Sequence, residues 1–112
     1  MSQNPGIGAG ITNGTVVSTK TPLTALTPTF ATVTGSSAQV VAANSSRKSL
    51  VFVNTSSDNI SFGIGANAAV VGSGITLTPN GVWEADEYSY VTSAINAISS
   101  GTSSNLTIQE FQ

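Results

Sequence analysis

Ser49-Leu50-Val51-Phe52-Val53-Asn54 is the stretch whose reading decides the fold. Successive side chains of a strand point to opposite faces, so Leu50 and Phe52 share one face and Val51 and Val53 the other. The run is short, β-branched at two of its six positions, and polar turns bound it: ANSSRK at 43–48 and TSSDN at 55–59. These features favour a strand over a helix. Apolar residues on both faces predict a strand that is buried on both sides, or that meets a partner with one of them.

The same grammar extends in both directions. Upstream, TFATVT (29–34) sets Phe30, Thr32 and Thr34 against Ala31 and Val33; GSS breaks the run, and AQVVAA (38–43) follows. Downstream, Ile60, Phe62 and Ile64 alternate with Ser61 and Gly63, the pattern of a half-buried strand. AAVV (68–71) runs into GSG, and in ITLT (75–78) Ile75 and Leu77 alternate with threonines. Pro79-Asn80-Gly81 is a tight-turn signature in which Gly81 is free to take a positive φ. VWEAD (82–86), YSYV (88–91), SAINAIS (93–99) with Ile95 and Ile98, and LTIQEF (106–111) complete the series. In the last of these Leu106 and Ile108 oppose Thr107 and Gln109. Short strands recurring about every 8 to 12 residues predict an all-β fold, an antiparallel β-sandwich or jelly-roll-like barrel. Helix is expected nowhere except as a single turn in SAINAIS.

Residues 1–28 read differently. Pro5, Pro22 and Pro28 interrupt them, Gly6, Gly8, Gly10 and Gly14 loosen them, and the larger apolar residues Ile7, Ile11, Val16, Val17, Leu23 and Leu26 are isolated. An extended N-terminal arm is expected, with one short strand at Thr15–Thr19 and a sandwich domain over 29–112. Those six apolar residues are candidate anchors on a neighbouring subunit.

Composition excludes most chemistry. The 112 residues include no histidine, no cysteine, three cations (Lys20, Arg47, Lys48) and five anions (Asp58, Glu84, Asp86, Glu87, Glu110). Groups that titrate near neutral pH or ligate soft metals are therefore missing, and no enzyme, cofactor or metal centre is expected. A net charge of −2 cannot neutralise phosphates, so nucleic acid is not an expected partner. No apolar run reaches the roughly 18 to 20 residues of a membrane span. The opening MSQNPGIGAGITNG has neither the basic nor the apolar region of a secretory leader, so a chain that stays in the cytoplasm is expected, and its Asn-x-Ser/Thr triplets carry no meaning. The hydrophobic content of 39% is enough for a core and argues against wholesale disorder.

Few side chains remain as candidates. Glu84, Asp86 and Glu87 are the only charge cluster, but no Asp-x-Asp-x-Asp-Gly loop accompanies them as a Ca²⁺ site requires. Arg47-Lys48 is the only concentrated positive charge and is expected in a solvated turn, within reach of a partner. Trp83, Tyr88 and Tyr90 lie close enough together to stack on a sugar, although a tryptophan in so small a sandwich more often belongs to the core. The glycines at 63, 65, 72 and 74 have no phosphate-loop spacing. The Thr-x-Thr units are too irregular for an ice-binding ladder.

Taken together, VVAANSSRKSLVFVN, ISFGIG, GSGITLTPNGVWEAD, AINAIS and the terminal LTIQEF resemble the small β proteins of tailed-bacteriophage virions over residues 36–112. The resemblance implies a capsid cement, decoration or staple subunit, or a minor tail or fibre component, with an antiparallel sandwich and extended termini. It implies the major capsid protein or other virion subunits as partners and residence in the virion after assembly in the host cytoplasm. Separately, a sandwich this small with no disulfide or metal is expected to gain stability from assembly, as a homo-oligomer or docked on a larger body. The rival expectation is a sandwich that recognises host glycans through Trp83, Tyr88 and Tyr90.

Overall fold

Strands form where side chains alternate, and turns form where Gly, Ser, Asn and Pro gather. The computed structural model describes residues 22–86 and 91–112. Among them lie eight strands: β1 Thr29–Val33, β2 Ala38–Val41, β3 Ser49–Asn54, β4 Ile60–Ile64, β5 Thr76–Leu77, β6 Val82–Ala85, β7 Ile95–Ser99 and β8 Ser104–Phe111. The described residues contain no helix. SAINAIS, which had room for a helical turn, is strand β7, held between β2 and β4. Its Ile95 and Ala97 point into the core.

Sheet one has the order β1-β8-β3-β6 and sheet two the order β2-β7-β4-β5, every pairing antiparallel. The order has a simple logic. β1 pairs with β8, β2 with β7, β3 with β6 and β4 with β5, so the chain is a ribbon doubled back at the β4–β5 connection. Successive pairs of that ribbon alternate between the two sheets, which is the jelly-roll form of the sandwich.

The alternation read from the sequence sets the core. Val33, Val41, Leu50, Phe52, Ile60, Phe62, Leu77, Ala85, Ile95, Ala97, Leu106 and Ile108 form one buried cluster between the sheets. Phe52 of sheet one stacks on Phe62 of sheet two with centroids 5.0 Å apart and planes 12° from parallel. Trp83 of β6 leans on both rings, at 5.4 and 5.6 Å. Burying a ring such as Phe52 contributes about 2–3 kcal/mol.

Three details depart from the alternation pattern. Residues 68–71 are not a strand: the segment from Gly65 to Ile75 is a connection that folds over the outer side of sheet two. There the Ser61 hydroxyl accepts from Gly72 N at 2.9 Å, and Ala69 N donates to the Ser37 hydroxyl at 2.8 Å. Ser61 and Gly63 are thereby buried, so β4 is covered on both faces and not half-buried. Gly63 is required at its position, because a Cβ there would run into the backbone of Asn67 and Ala68. In the Pro79-Asn80-Gly81 turn it is Asn80, at φ 65°, that takes the left-handed conformation expected of Gly81. Gly81 N donates to Thr78 O at 2.8 Å, closing a type II turn with Pro79 and Asn80 at its two central positions.

The sandwich also begins earlier than residue 29. Thr24 and Gln112 exchange backbone hydrogen bonds of 2.6 and 2.9 Å, and Leu26 N donates to Glu110 O at 2.9 Å. Residues 24–26 thus extend the edge of sheet one beside the end of β8. The strand expected at Thr15–Thr19 lies outside the described residues.

Candidate functional site

Sheet one has an outer face that nothing in the described chain fully covers. Register places its side chains in rows across the four strands. Phe30 pairs with Thr107, Thr107 with Val53, and Val53 with Val82. The next row on that face runs Gln109, Val51, Glu84. Phe30 keeps 69% of its surface exposed and Val82 58%, at the two edges of the first row. Val51 and Val53 between them are half-buried. Pro28, Phe30, Val51, Val53, Thr107 and Gln109 line an open groove of about 490 Å³ here. The walls are apolar or neutral polar; Glu84 is the one charged side chain in these two rows. The exposed apolar side chains Phe30 and Val82, with half-buried Val51 and Val53 between them, make this face the candidate interaction surface.

The sequence placed Val51 and Val53 on a face of their own, and the structure brings Phe30 and Val82 into line with them. Nothing local joins these residues. Phe30 and Val82 meet the same row only because β1 and β6 are the outer strands of sheet one, with β8 and β3 between them.

Arg47 is a correction. It was expected in a solvated turn and available to a partner, yet its side chain is fully buried. Nε donates to Glu110 Oε2 at 2.7 Å, Nη1 to the carbonyls of Val91 and Ser93 at 2.8 and 3.0 Å, and Nη2 to the carbonyl of Ala42 at 2.7 Å. Nη2 also lies 2.7 Å from Glu110 Oε2. A planar guanidinium with five donors can satisfy such a set where an ammonium cannot. Arg47 therefore ties the loop before β3 to the 91–93 segment and to the end of β8. Lys48 beside it is exposed.

The other anticipated residues distribute unevenly. Leu23 is exposed and Leu26 half-buried along the edge of sheet one. Ile7, Ile11, Val16, Val17, Tyr88, Tyr90 and Glu87 lie outside the described residues. Trp83 is half-buried and packs its ring against Phe52 and Phe62, which is the core role. Among the described residues no three Asp or Glu side chains group as a metal site.

One polar cluster was not anticipated. The Ser99 and Ser104 hydroxyls lie 2.5 Å apart, and Ser104 donates to Asp58 Oδ2 at 2.8 Å. Both hydroxyls are sealed inside the fold. Next to them the amide nitrogen of buried Asn54 donates to the carbonyls of Asp58 and Leu77 at 2.7 and 2.9 Å, while its oxygen accepts from Ser56 N and Oγ. Through their hydrogen bonds the two buried hydroxyls tie the Asp58 turn to the connection between β7 and β8. The signal in the sequence was weak: serines at 99 and 104 where the alternation demanded inward residues.

The fold defines the class, a jelly-roll sandwich whose described residues form eight strands, with an apolar outer face on one sheet. No family model matches the chain, and no curated protein or solved structure matches it significantly.

Proposed function

We propose that this protein is a non-enzymatic structural subunit of a phage particle, a capsid cement or decoration protein that stabilises contacts between capsid subunits. The observation that carries the reading is the row Phe30–Thr107–Val53–Val82 on a rigid two-sheet body. A cement subunit adds contact area over a seam and needs no reactive group. An apolar strip with a neutral polar surround does this cheaply, because few ions have to be desolvated. Threonine, asparagine and glutamine at the strip's margins supply the wet hydrogen bonds of an interface rim. Repetition over equivalent seams converts a modest affinity per site into firm attachment. Jelly rolls recur in capsid and lectin domains, which is support by analogy of fold. The virion resemblance of residues 36–112 inclines that analogy towards the capsid.

The partners on this reading are the major capsid protein or neighbouring virion subunits, with the N-terminal arm lying along an adjacent one. Because residues 24–26 are bonded into sheet one, the truncation that tests the arm is removal of residues 1–21. The deciding experiment is density fractionation of a lysate of particle-producing cells, with this chain quantified against the dominant particle protein. Near-stoichiometric recovery with full particles is expected. A few copies per particle would reassign it to the tail or fibre, and recovery only at the top of the gradient would overturn the virion reading.

A further inference from the structure

We propose that a second copy of this chain pairs with the free edge of β1, antiparallel and about a two-fold axis beside Ala31, so that sheet one runs unbroken through both copies. The inference rests on the edges of the sandwich and is independent of the virion reading.

An uncovered sheet edge presents a row of unpaired N–H and C=O groups, and folded proteins blunt such edges with bulges, charges or shortness. Among the described strands the edges are β1 and β6 in sheet one and β2 and β5 in sheet two. β2 shifts register between Gln39 and Val41, and β5 is two residues long. β6 carries Glu84 and leads into Asp86. β1 has none of these devices: its five residues hold no charge and no proline, and they keep one register along β8. Phe30, the most exposed of the large apolar side chains, stands on this edge.

The hydrogen-bond pattern fixes which groups of β1 are free. In an antiparallel ladder alternate residues of a strand bond to opposite neighbours. On β8 the even-numbered residues serve the β1 side: Gln112 exchanges bonds with Thr24, and Glu110 O accepts from Leu26 N. Asn105 O, on the odd side, accepts from Thr55 N just beyond the end of β3. Ile108, Leu106 and Ser104 therefore bond to their register partners Thr29, Ala31 and Val33. Phe30 and Thr32 direct both backbone groups away from β8, and no backbone bond from another described residue reaches them there. The next carbonyl on that side, of Thr34, accepts from Ser99 N.

The free edge is thus Phe30 and Thr32, evenly placed about Ala31, and this symmetry selects the occupant. With the axis beside Ala31, the N–H and C=O of Phe30 meet the partner's Thr32, and those of Thr32 meet the partner's Phe30. Each free group is satisfied by residues of β1 alone. The two Phe30 side chains then stand on the diagonal of the pair, about 7–8 Å apart, a separation that aromatic rings span. No charged residue lies between Lys20 and Arg47, and Glu84 is on the opposite edge strand of the sheet, so β1 brings no like charges together at the axis.

One strand pair with two phenylalanines is a small contact, of the weak and reversible class. Sedimentation of the full-length chain should therefore give a monomer at about micromolar concentration and a dimer towards about millimolar. Over the same range the amides of Phe30 and Thr32 should slow their exchange about tenfold, while those of Ala31 and Val33, already bonded to β8, stay unchanged. Thr32→Pro removes one N–H that faces away from β8, a place where an edge strand accepts proline, and should keep the chain monomeric throughout. Thr32→Lys keeps the N–H and sets two like charges on the diagonal of the pair; it should weaken the dimer about tenfold or more, and it carries the test if the proline variant fails to fold. A mass that stays at one copy up to the highest concentration overturns the inference. So does a dimer in which Phe30 and Thr32 exchange freely, a mass that keeps growing past two copies, which would join β1 to a different edge, or a folded Thr32 variant that dimerises like the wild type.

Discussion

Arg47 illustrates how a side chain that looks like surface chemistry becomes architecture. Three of its nitrogens reach a carboxylate and three carbonyls contributed by segments far apart in the chain. Arg47→Ala would leave Glu110 uncompensated and three carbonyls without their donor. Removing one partner of a buried pair costs about 3–5 kcal/mol. Glu110 keeps some solvent contact, so a loss near 3 kcal/mol is expected, read as a fall in urea midpoint at unchanged slope. Arg47→Lys should recover little of it, because one ammonium cannot span the same acceptors. A loss below 1 kcal/mol would mean the pair contributes no more than a surface contact. The sequence could not announce this role. A lone arginine in a polar turn reads as solvated, and its partner lies 63 positions away. Asn80 is the opposite case: the turn was legible and only the residue bearing the positive φ was misplaced. The type II turn needs its positive φ at the third position, which is Asn80, while Gly81 is required for a separate reason, because a Cβ there would meet Thr78 O at 2.8 Å.

At the scale of elements, strand positions were legible wherever one face was buried, because a period of two allows a single register there. β1, β3, β4 and β8 sit on the runs that alternation identified. Legibility failed for the segment from Gly65 to Ile75. Its Ala68-Ala69-Val70-Val71 run has strand composition but no strand to pair with, and only Ala69 is buried, while Val70 and Val71 remain exposed. What fixes the segment is tertiary: hydrogen bonds to Ser61 and Ser37, and the close approach of Asn67 and Ala68 to Gly63. Gly63→Ala should therefore lift this connection off sheet two. The expected cost is about 1–3 kcal/mol, as for overpacking elsewhere. Amide exchange should quicken at Ala69 and Gly72 and stay slow in sheet one. Uniform loss of protection across both sheets would show instead that the connection is inseparable from the sandwich.

For the molecule as a whole, the proposed role divides stability from docking between the two faces of β3, and the division can be measured on adjacent residues. Phe52 points inward, stacks on Phe62 and is completely buried, so Phe52→Ala should cost about 3–5 kcal/mol. Val53 points outward into the groove, and Val53→Asp changes no core contact, so about 1 kcal/mol is expected from this substitution. On the proposed role the order reverses for attachment. Val53→Asp places a charge at the centre of the apolar row and should abolish retention on particles while the protein stays folded. Retention of the wild type should be nearly insensitive to salt between low and high ionic strength, because the two rows of the face carry no charge but Glu84 and screening acts only on charges. Attachment that fell steeply with salt would place the contact on charged side chains elsewhere. Undiminished retention of Val53→Asp would remove this face from the interface. On the proposed role the low charge of the chain has a physical reading: a body with three cations and five anions would meet a partner at little desolvation cost, and on this face that cost falls at Glu84, on its edge strand.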